Sequence, residues 1–299
     1  MTATILRADA RSLPLADASV DLIVTSPPYW GLRDYRDGDA SLTGQIGQES
    51  TPTEYVAALI DCTREWIRVL KPAGSLWVNL GDAYYSGKGA PGKNNIDPKS
   101  PARRLGVRPL DRSGLGLPRK SLVGTPWRYA LACIDDLGLV LRAEIIWSKP
   151  NAMPEPSARD RAARSHETLL HLTQRPRYYA DSDQRPDRSV WEIPTRALRT
   201  PADLGRHDAA MPTALAERII LGYSPPGGTV LDPFGGTGTT ALVASVHGRH
   251  GISIDASADY CRLAAWRTTD PAERARALGV PAPLPVADDQ DALFEVNAS

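Results

Sequence analysis

An α/β fold with a mostly parallel sheet and helices on both faces is the architecture this chain predicts, and three observations point to it. Apolar, β-branched runs alternate with segments of helical spacing along most of the chain, the pattern of repeated βα units. One run, Val20-Asp21-Leu22-Ile23-Val24, ends in Thr25-Ser26-Pro27-Pro28-Tyr29-Trp30. Another, Thr229-Val230-Leu231, ends in Asp232-Pro233-Phe234-Gly235-Gly236-Thr237-Gly238-Thr239-Thr240. In open sheets, ligands collect beyond the carboxyl ends of strands, so two such turns imply two half-sites of a two-substrate enzyme.

The elements follow in order. Residues 5–9 and 20–26 read as strands. Thr51-Pro52-Thr53-Glu54 starts a helix with proline in its first turn. Tyr55, Ala58, Leu59, Cys62, Trp66, Val69 and Leu70 follow at helical spacing, and Lys71-Pro72-Ala73-Gly74 reads as its end. Residues 75–80 form a strand. Residues 84–120, rich in Gly, Pro, Lys and Arg without periodicity, read as a long loop. A helix over 125–138 and a strand over 139–148 come next. Residues 149–206 are mixed, with strand-like pieces at 168–172 and 177–179. A helix then runs from Pro212 to Leu221 with Gly222 as its stop, followed by the second special turn, a helix over 239–247, a strand over 250–255 and a helix over 259–267.

Composition sets the class. With 299 residues, 42% of them hydrophobic, the chain can bury a sizeable core. No apolar run reaches a membrane span, and the N-terminus lacks the apolar stretch of a signal peptide, so a cytoplasmic location is expected. Three scattered cysteines, Cys62, Cys133 and Cys261, make neither a disulfide framework nor a zinc site, and no metal is expected. The formal net charge is zero. Between Tyr84 and Arg128, however, ten Lys/Arg face only Asp97 and Asp111. Such a stretch is either an electrostatic footprint for nucleic acid or a solvated loop.

The glycine-rich turn has the strand–turn–helix context of a nucleotide fingerprint. It lacks the Lys-Ser/Thr of a phosphate-binding loop, and Ala241 replaces the third glycine of a dinucleotide fingerprint. Asp255 ends the next strand, where a carboxylate accepts hydrogen bonds from ribose hydroxyls. Asp232 heads the turn, where it can meet a cationic amino-acid group. A nucleoside carrying an amino acid fits this set, and S-adenosylmethionine is such a molecule. A lone G-x-G is also a common structural turn; the strand, helix and acid favour a cofactor. Candidate cofactor residues are Asp232, Phe234, Gly236, Thr237, Gly238, Thr239 and Asp255.

At Ser26-Pro27-Pro28-Tyr29 the sequence resembles the amino-group DNA methyltransferases, which methylate cytosine-N4 or adenine-N6 and carry a [DNS]-P-P-[YFW] turn. Asp232 to Thr240 resembles the family's cofactor motif, and His207-Asp208-Ala209-Ala210-Met211-Pro212 resembles the segment before the cofactor helix. Trp147-Ser148-Lys149-Pro150-Asn151 and Ser165-His166-Glu167 also resemble family segments. The order, catalytic turn first and cofactor turn last, is similar to the permuted β class.

The resemblance implies a Rossmann-like, circularly permuted, S-adenosylmethionine-dependent methyltransferase sheet plus a small target-recognition region. It divides the chain into a catalytic half (1–83), a basic loop (84–120), a core helix and strand (121–149), target recognition (150–206), a cofactor half (207–269) and an acidic tail (270–299). The strand before Asp232 is expected beside the strand before Ser26, with Asp9 on the adenine side of the cofactor. Ser253 departs from the glycine common before the ribose-binding acid.

The resemblance also implies a mechanism. A nucleobase amine is a poor nucleophile because its lone pair is delocalised into the ring. Ser26 Oγ and the Pro27 carbonyl, fixed by the Pro27-Pro28 turn, would accept its N–H bonds, and Tyr29 would stack on the flipped base. In-line attack on the sulfonium methyl needs no covalent enzyme intermediate. No cysteine follows a proline, which sets aside the cytosine-C5 class. Serine in the first motif position favours cytosine-N4, with adenine-N6 as the alternative. An RNA methyltransferase and a catalytically degenerate DNA-binding protein are further readings. The expected DNA contacts are Trp30, Lys88, Lys93, Arg103, Arg104, Arg159, Arg161, Arg164 and Arg177; Trp30 could instead simply pack nearby, and a surface ion pair is the commoner role for any one of Arg159, Arg161, Arg164 and Arg177. Duplex DNA is the expected partner. A cognate restriction endonuclease, and the choice between monomer and homodimer, stay open.

Overall fold

Eight strands lie side by side in the order β1 (Ala3–Arg7), β10 (His250–Asp255), β9 (Thr229–Asp232), β2 (Val20–Thr25), β5 (Leu70–Leu80), β7 (His166–Thr173), β6 (Val140–Ser148) and β8 (Val190–Glu192) in this computed structural model. The structure describes residues 3–32, 35–37, 40–89, 109–155, 158–201, 204 and 210–282. Neighbours run parallel except β7, which is antiparallel to both β5 and β6. A separate two-stranded ribbon pairs β3 (Arg36–Asp37) with β4 (Ala40–Ser41). The predicted α/β class with a mostly parallel sheet is the fold observed. No described helix is long and apolar enough to cross a membrane.

The central strands are apolar on both sides because both faces are covered. Ile23, Leu76, Val78, Leu80 and Leu231 pack with Tyr55, Leu59 and Trp66 of α1 (Pro52–Val69) and with Tyr129 and Cys133 of α2 (Thr125–Asp135). Leu22, Val24, Trp77 and Val230 point the other way. They pack with Leu215, Ile219 and Ile220 of α3 (Thr213–Tyr223) and with Val243 and Ala244 of α4 (Thr239–Val246). The alternation along β2 thus divides two cores.

Local chemistry fixes the ends. Thr51 and Glu54 form a reciprocal capping box at α1, each bond 3.1 Å. Asp270 caps α6 (Pro271–Ala277) by accepting the Glu273 N–H at 2.8 Å, so part of the expected acidic tail is a helix packed on α4 and α5 (Ala258–Thr269). The remainder of that tail, from residue 283, lies outside the described residues.

Several boundaries differ from expectation. Lys71-Pro72-Ala73-Gly74 does not end α1 but lies within β5, where the register jumps from Val20↔Leu70 to Leu22↔Ser75. Lys71 uses this irregularity to reach Asp21, at 2.8 and 2.9 Å. Helix α3 runs through Gly222, which lies against the Arg185 backbone. Residues 177–179 form no strand; the Tyr179 N–H instead donates to the Ala73 carbonyl at 2.8 Å. Within 84–120 the described ends are anchored. Tyr84 bridges Leu122, and Tyr85 is buried with its hydroxyl on the Arg112 carbonyl at 2.6 Å. The segment 150–206 supplies β7 and β8, and so contributes to the core sheet.

Candidate active site

Strands β9 and β2 are neighbours, pairing Leu22 with Val230 and Ile23 with Leu231. Their carboxyl ends therefore place the two special turns side by side. One cleft is lined by Asp9, Ser26, Pro28, Asp232, Phe234, Gly236, Thr237, Thr239 and Asp255. Tyr35 and Tyr260, 6.3 Å apart edge to face, also line it. Gly238 stands behind the wall as the N-cap of α4.

The glycine-rich turn is tied to the next strand. The Gly235 N–H donates to the Ile254 carbonyl at 2.8 Å, and the Gly236 N–H to Asp255 Oδ2 at 2.9 Å. A side chain at position 235 would place its Cβ 1.8 Å from Ser253 Oγ. The departure at Ser253 is thus accommodated by the glycine opposite. From behind, Arg267 Nη1 donates to Thr237 Oγ1 at 2.9 Å and Thr239 Oγ1 at 2.6 Å, while its Nε meets Glu273 Oε2 at 3.0 Å. Burial pulls this guanidinium down to about 10.

The acids have distinct surroundings. Asp232 is 4% exposed, accepting from the Phe234 N–H at 3.1 Å and the Thr240 hydroxyl at 3.0 Å. Burial pushes its carboxyl up to about 6. Asp255 also accepts the Ser257 N–H at 2.9 Å. Asp9 is engaged by Arg11, whose Nη2 lies 2.6 Å from it, and that hydrogen bond holds the Asp9 carboxyl below its ordinary range. A buried acid at the head of the turn, without a cationic hydrogen-bond partner among the described residues, together with an acid at the next strand end, suits an amino-acid-bearing nucleoside.

The Pro-Pro turn is pinned by the Tyr55 hydroxyl, which donates to the Pro28 carbonyl at 2.8 Å. Pro27 is buried. The Tyr29 hydroxyl turns inward, 2.6 Å from Glu167 Oε2 and 3.2 Å from Ser26 Oγ. Burial, and then the Glu167 charge, hold it protonated far above the ordinary tyrosine range. Asn79 Nδ2 donates to Glu167 at 2.7 Å and Tyr29 Oη at 2.8 Å, and Lys149 pairs with the other Glu167 oxygen. The Tyr29 ring sits against Gly81, where a Cβ would lie 2.6 Å from it.

Sequence reasoning assigned no role to Asn79, Lys149, Glu167, Arg267, Tyr35 or Tyr260. Lys149 and Glu167 lay in segments quoted for the family resemblance, which was the available signal. The other four carried no motif.

The expected DNA contacts scatter. Trp30 is not at the surface: it is 3% exposed, with its indole N–H on the Glu49 carbonyl at 3.0 Å, because the chain after the turn folds its aromatic into the core. Arg177 follows the carboxyl end of antiparallel β7, two residues before Tyr179, whose N–H meets the Ala73 carbonyl, and so lies toward the opposite end of the sheet from the cleft. Arg161 pairs with Glu155 and stacks 3.5 Å over the Tyr84 ring, and Arg164 lies 3.8 Å from Asp82. Lys88 and Arg159 are exposed. Lys93, Arg103 and Arg104 lie outside the described residues.

A profile of the N6/N4 DNA methylase family matches residues 20–265. The type II methyltransferase M.Cfr9I of Citrobacter freundii is 42% identical over 277 residues, covering 89% of this chain and 87% of that protein. M.SmaI of Serratia marcescens is 42% identical over 259 residues, 83% of each. Among solved structures, the PvuII DNA methyltransferase (cytosine-N4-specific) aligns with a TM-score of 0.67 at 22% identity, over 94% of both chains. The M1.HpyAVI–SAM complex aligns at 0.54 and 18% identity, over 90% of this chain and all of that one. These last two likenesses concern the fold. The family match across most of the chain and the two close relatives settle the rest: this chain belongs to the N6/N4 DNA methylase family and is a methyltransferase.

Proposed function

We propose that the protein transfers a methyl group from S-adenosylmethionine to the N4 amine of cytosine in duplex DNA. The observation that carries this reading is the shared cleft, in which Ser26 from the end of β2 meets Asp232 and the glycine-rich turn from the end of β9. Asp232 holds the cationic amino-acid end of the cofactor, and Asp255 accepts from its ribose hydroxyls. Asp9, Phe234 and Gly236 enclose the remainder, with Thr237, Gly238 and Thr239 shaping the turn. The chemistry the cofactor supplies is an electrophilic sulfonium methyl.

The chain's own residues do the rest. Ser26 Oγ and the Pro27 carbonyl accept hydrogen bonds from the target amine, drawing its lone pair out of conjugation. The Tyr29 ring stacks on the extruded base. Orientation of amine and methyl in line supplies much of the rate. Lys88, Lys93, Arg103 and Arg104 from the basic segment, with Arg159, contact phosphates, and Arg161 and Arg164 exchange their present carboxylate partners for DNA. A cognate restriction endonuclease is a candidate partner protein.

Cytosine is chosen over adenine because Ser26 stands first in the motif and because the solved likeness with the higher TM-score is named cytosine-N4-specific. Adenine-N6 keeps the same geometry and is the second reading. The test is transfer of a tritiated methyl to unmethylated duplex DNA by the wild type and by Ser26→Ala. The variant should lose about 100-fold in turnover while binding S-adenosylmethionine normally. Equal turnover would remove Ser26 from the mechanism. Cofactor binding without any transfer by the wild type would favour a degenerate DNA-binding protein.

A further inference from the structure

The hydrogen-bonded group behind the Pro-Pro turn has a direction that hydrogen counting assigns. Glu167 Oε2 receives Tyr29 Oη at 2.6 Å and Asn79 Nδ2 at 2.7 Å, and Lys149 Nζ closes on Oε1. An ionised carboxylate only accepts, and the amide and ammonium facing it are both donors. The phenol has one hydrogen, and that hydrogen goes to Glu167. Tyr29 Oη is then an acceptor toward its other neighbours, Asn79 Nδ2 at 2.8 Å and Ser26 Oγ at 3.2 Å. The orientation of Asn79 follows from the same carboxylate, which repels its Oδ1; that atom is buried without a partner among the described residues. Ser26 in turn has one hydrogen. Given to Tyr29, it leaves the serine oxygen as an acceptor, toward the Asn79 amide at 3.4 Å on one side and toward the cleft that Ser26 lines on the other.

We propose that Glu167 is a positioning residue which, acting through Tyr29, sets the Ser26 hydroxyl as a hydrogen-bond acceptor toward the target amine. The proposal rests on the reading of Ser26 as the acceptor for that amine. The direction matters because the target presents two kinds of partner. Beside its amine, a cytosine or adenine carries a ring nitrogen that accepts hydrogen bonds. A serine free to rotate donates to that nitrogen part of the time, which withdraws electron density and weakens the nucleophile. A serine whose hydrogen is held by Tyr29 accepts from the amine instead. Gly81 belongs to the device, since a Cβ there would stand 2.6 Å from the Tyr29 ring and displace its hydroxyl.

Single-turnover methyl transfer to duplex DNA by the wild type, Glu167→Gln, Tyr29→Phe and the double variant tests this. Dissociation constants for S-adenosylmethionine and for DNA are measured alongside. Glutamine is close in shape; with its amide oxygen turned to the Lys149 ammonium, which stands at the Oε1 position, its amide nitrogen faces Tyr29, donates to it and reverses the chain. Each single variant should slow transfer about 100-fold, the double should be no slower than either, and both affinities should stay within about twofold. A wild-type rate in Glu167→Gln, losses that multiply in the double variant, or a fall in cofactor affinity large enough to explain the rate would each overturn the proposal. A wild-type protein that transfers no methyl to DNA would overturn the functional reading itself, a result distinct from an unaffected Glu167→Gln.

Discussion

The Thr229 backbone N–H donates to Asp21 Oδ2 at 2.9 Å, joining residues 208 positions apart. The same carboxylate is held by Lys71 from β5. One side chain therefore links three adjacent strands at their amino ends, and their carboxyl ends carry the residues of the cleft. The two half-sites share a cleft because their strands are neighbours in the sheet, although they are distant in sequence.

Cofactor affinity should depend on pH through Asp232. Its carboxyl is pushed up to about 6, first by burial, with the Asp255 charge adding to the shift. A folded value above the ordinary one means that this group's contribution to stability is fully present below about 3.8 and is lost as pH rises through about 6. Cofactor binding has the opposite sign, because the cationic amino-acid group requires ionised Asp232. Calorimetric titration from pH 5 to 8 should show the affinity rising about tenfold per unit up to pH 6 and levelling above it. Asp232→Asn should bind weakly with no such slope.

Gly235→Ala should be destabilising and should weaken the cofactor site, because its Cβ would stand 1.8 Å from Ser253 Oγ. Overpacking of this kind costs about 1–3 kcal/mol. Urea denaturation should show the loss, and Gly235→Ala combined with Ser253→Gly should recover most of it. An unrescued double variant would mean that the turn fails for another reason.

Glu273→Ala should be worse than an ordinary helix substitution. Arg267 and Glu273 are each 5% exposed, and removing one partner of a buried pair costs about 3–5 kcal/mol. The cofactor turn should loosen as well, since Arg267 holds Thr237 and Thr239. Denaturation and cofactor titration should move together.

The parts legible in the sequence were those encoded locally. Strand β10 and the start of α1 at Thr51-Pro52 were evident because alternation and helix-start signals act over a few residues. The neighbouring of β2 and β9 came from family resemblance, since no local pattern states which strands pair. What stayed hidden depends on tertiary neighbours. Lys71–Gly74 has the composition of a helix stop, yet it bulges within β5 so that Lys71 reaches Asp21. By sequence Trp30 could assist at the substrate or pack nearby, and only the Glu49 carbonyl that takes its N–H decides for packing. Asn79 and Glu167 sit on β5 and β7, and only the antiparallel register that pairs Asn79 with Leu169 brings them together. The basic count before Arg128 could not reveal that Arg161 and Arg164 have carboxylate neighbours.

The most direct measurement is nucleoside mass spectrometry of unmethylated duplex DNA after reaction with the purified protein and S-adenosylmethionine. N4-methylcytosine should form with the wild type and be nearly absent with Ser26→Ala. N6-methyladenine as the product would contradict the choice of base, and no methylated nucleoside at all would contradict the shared-cleft mechanism.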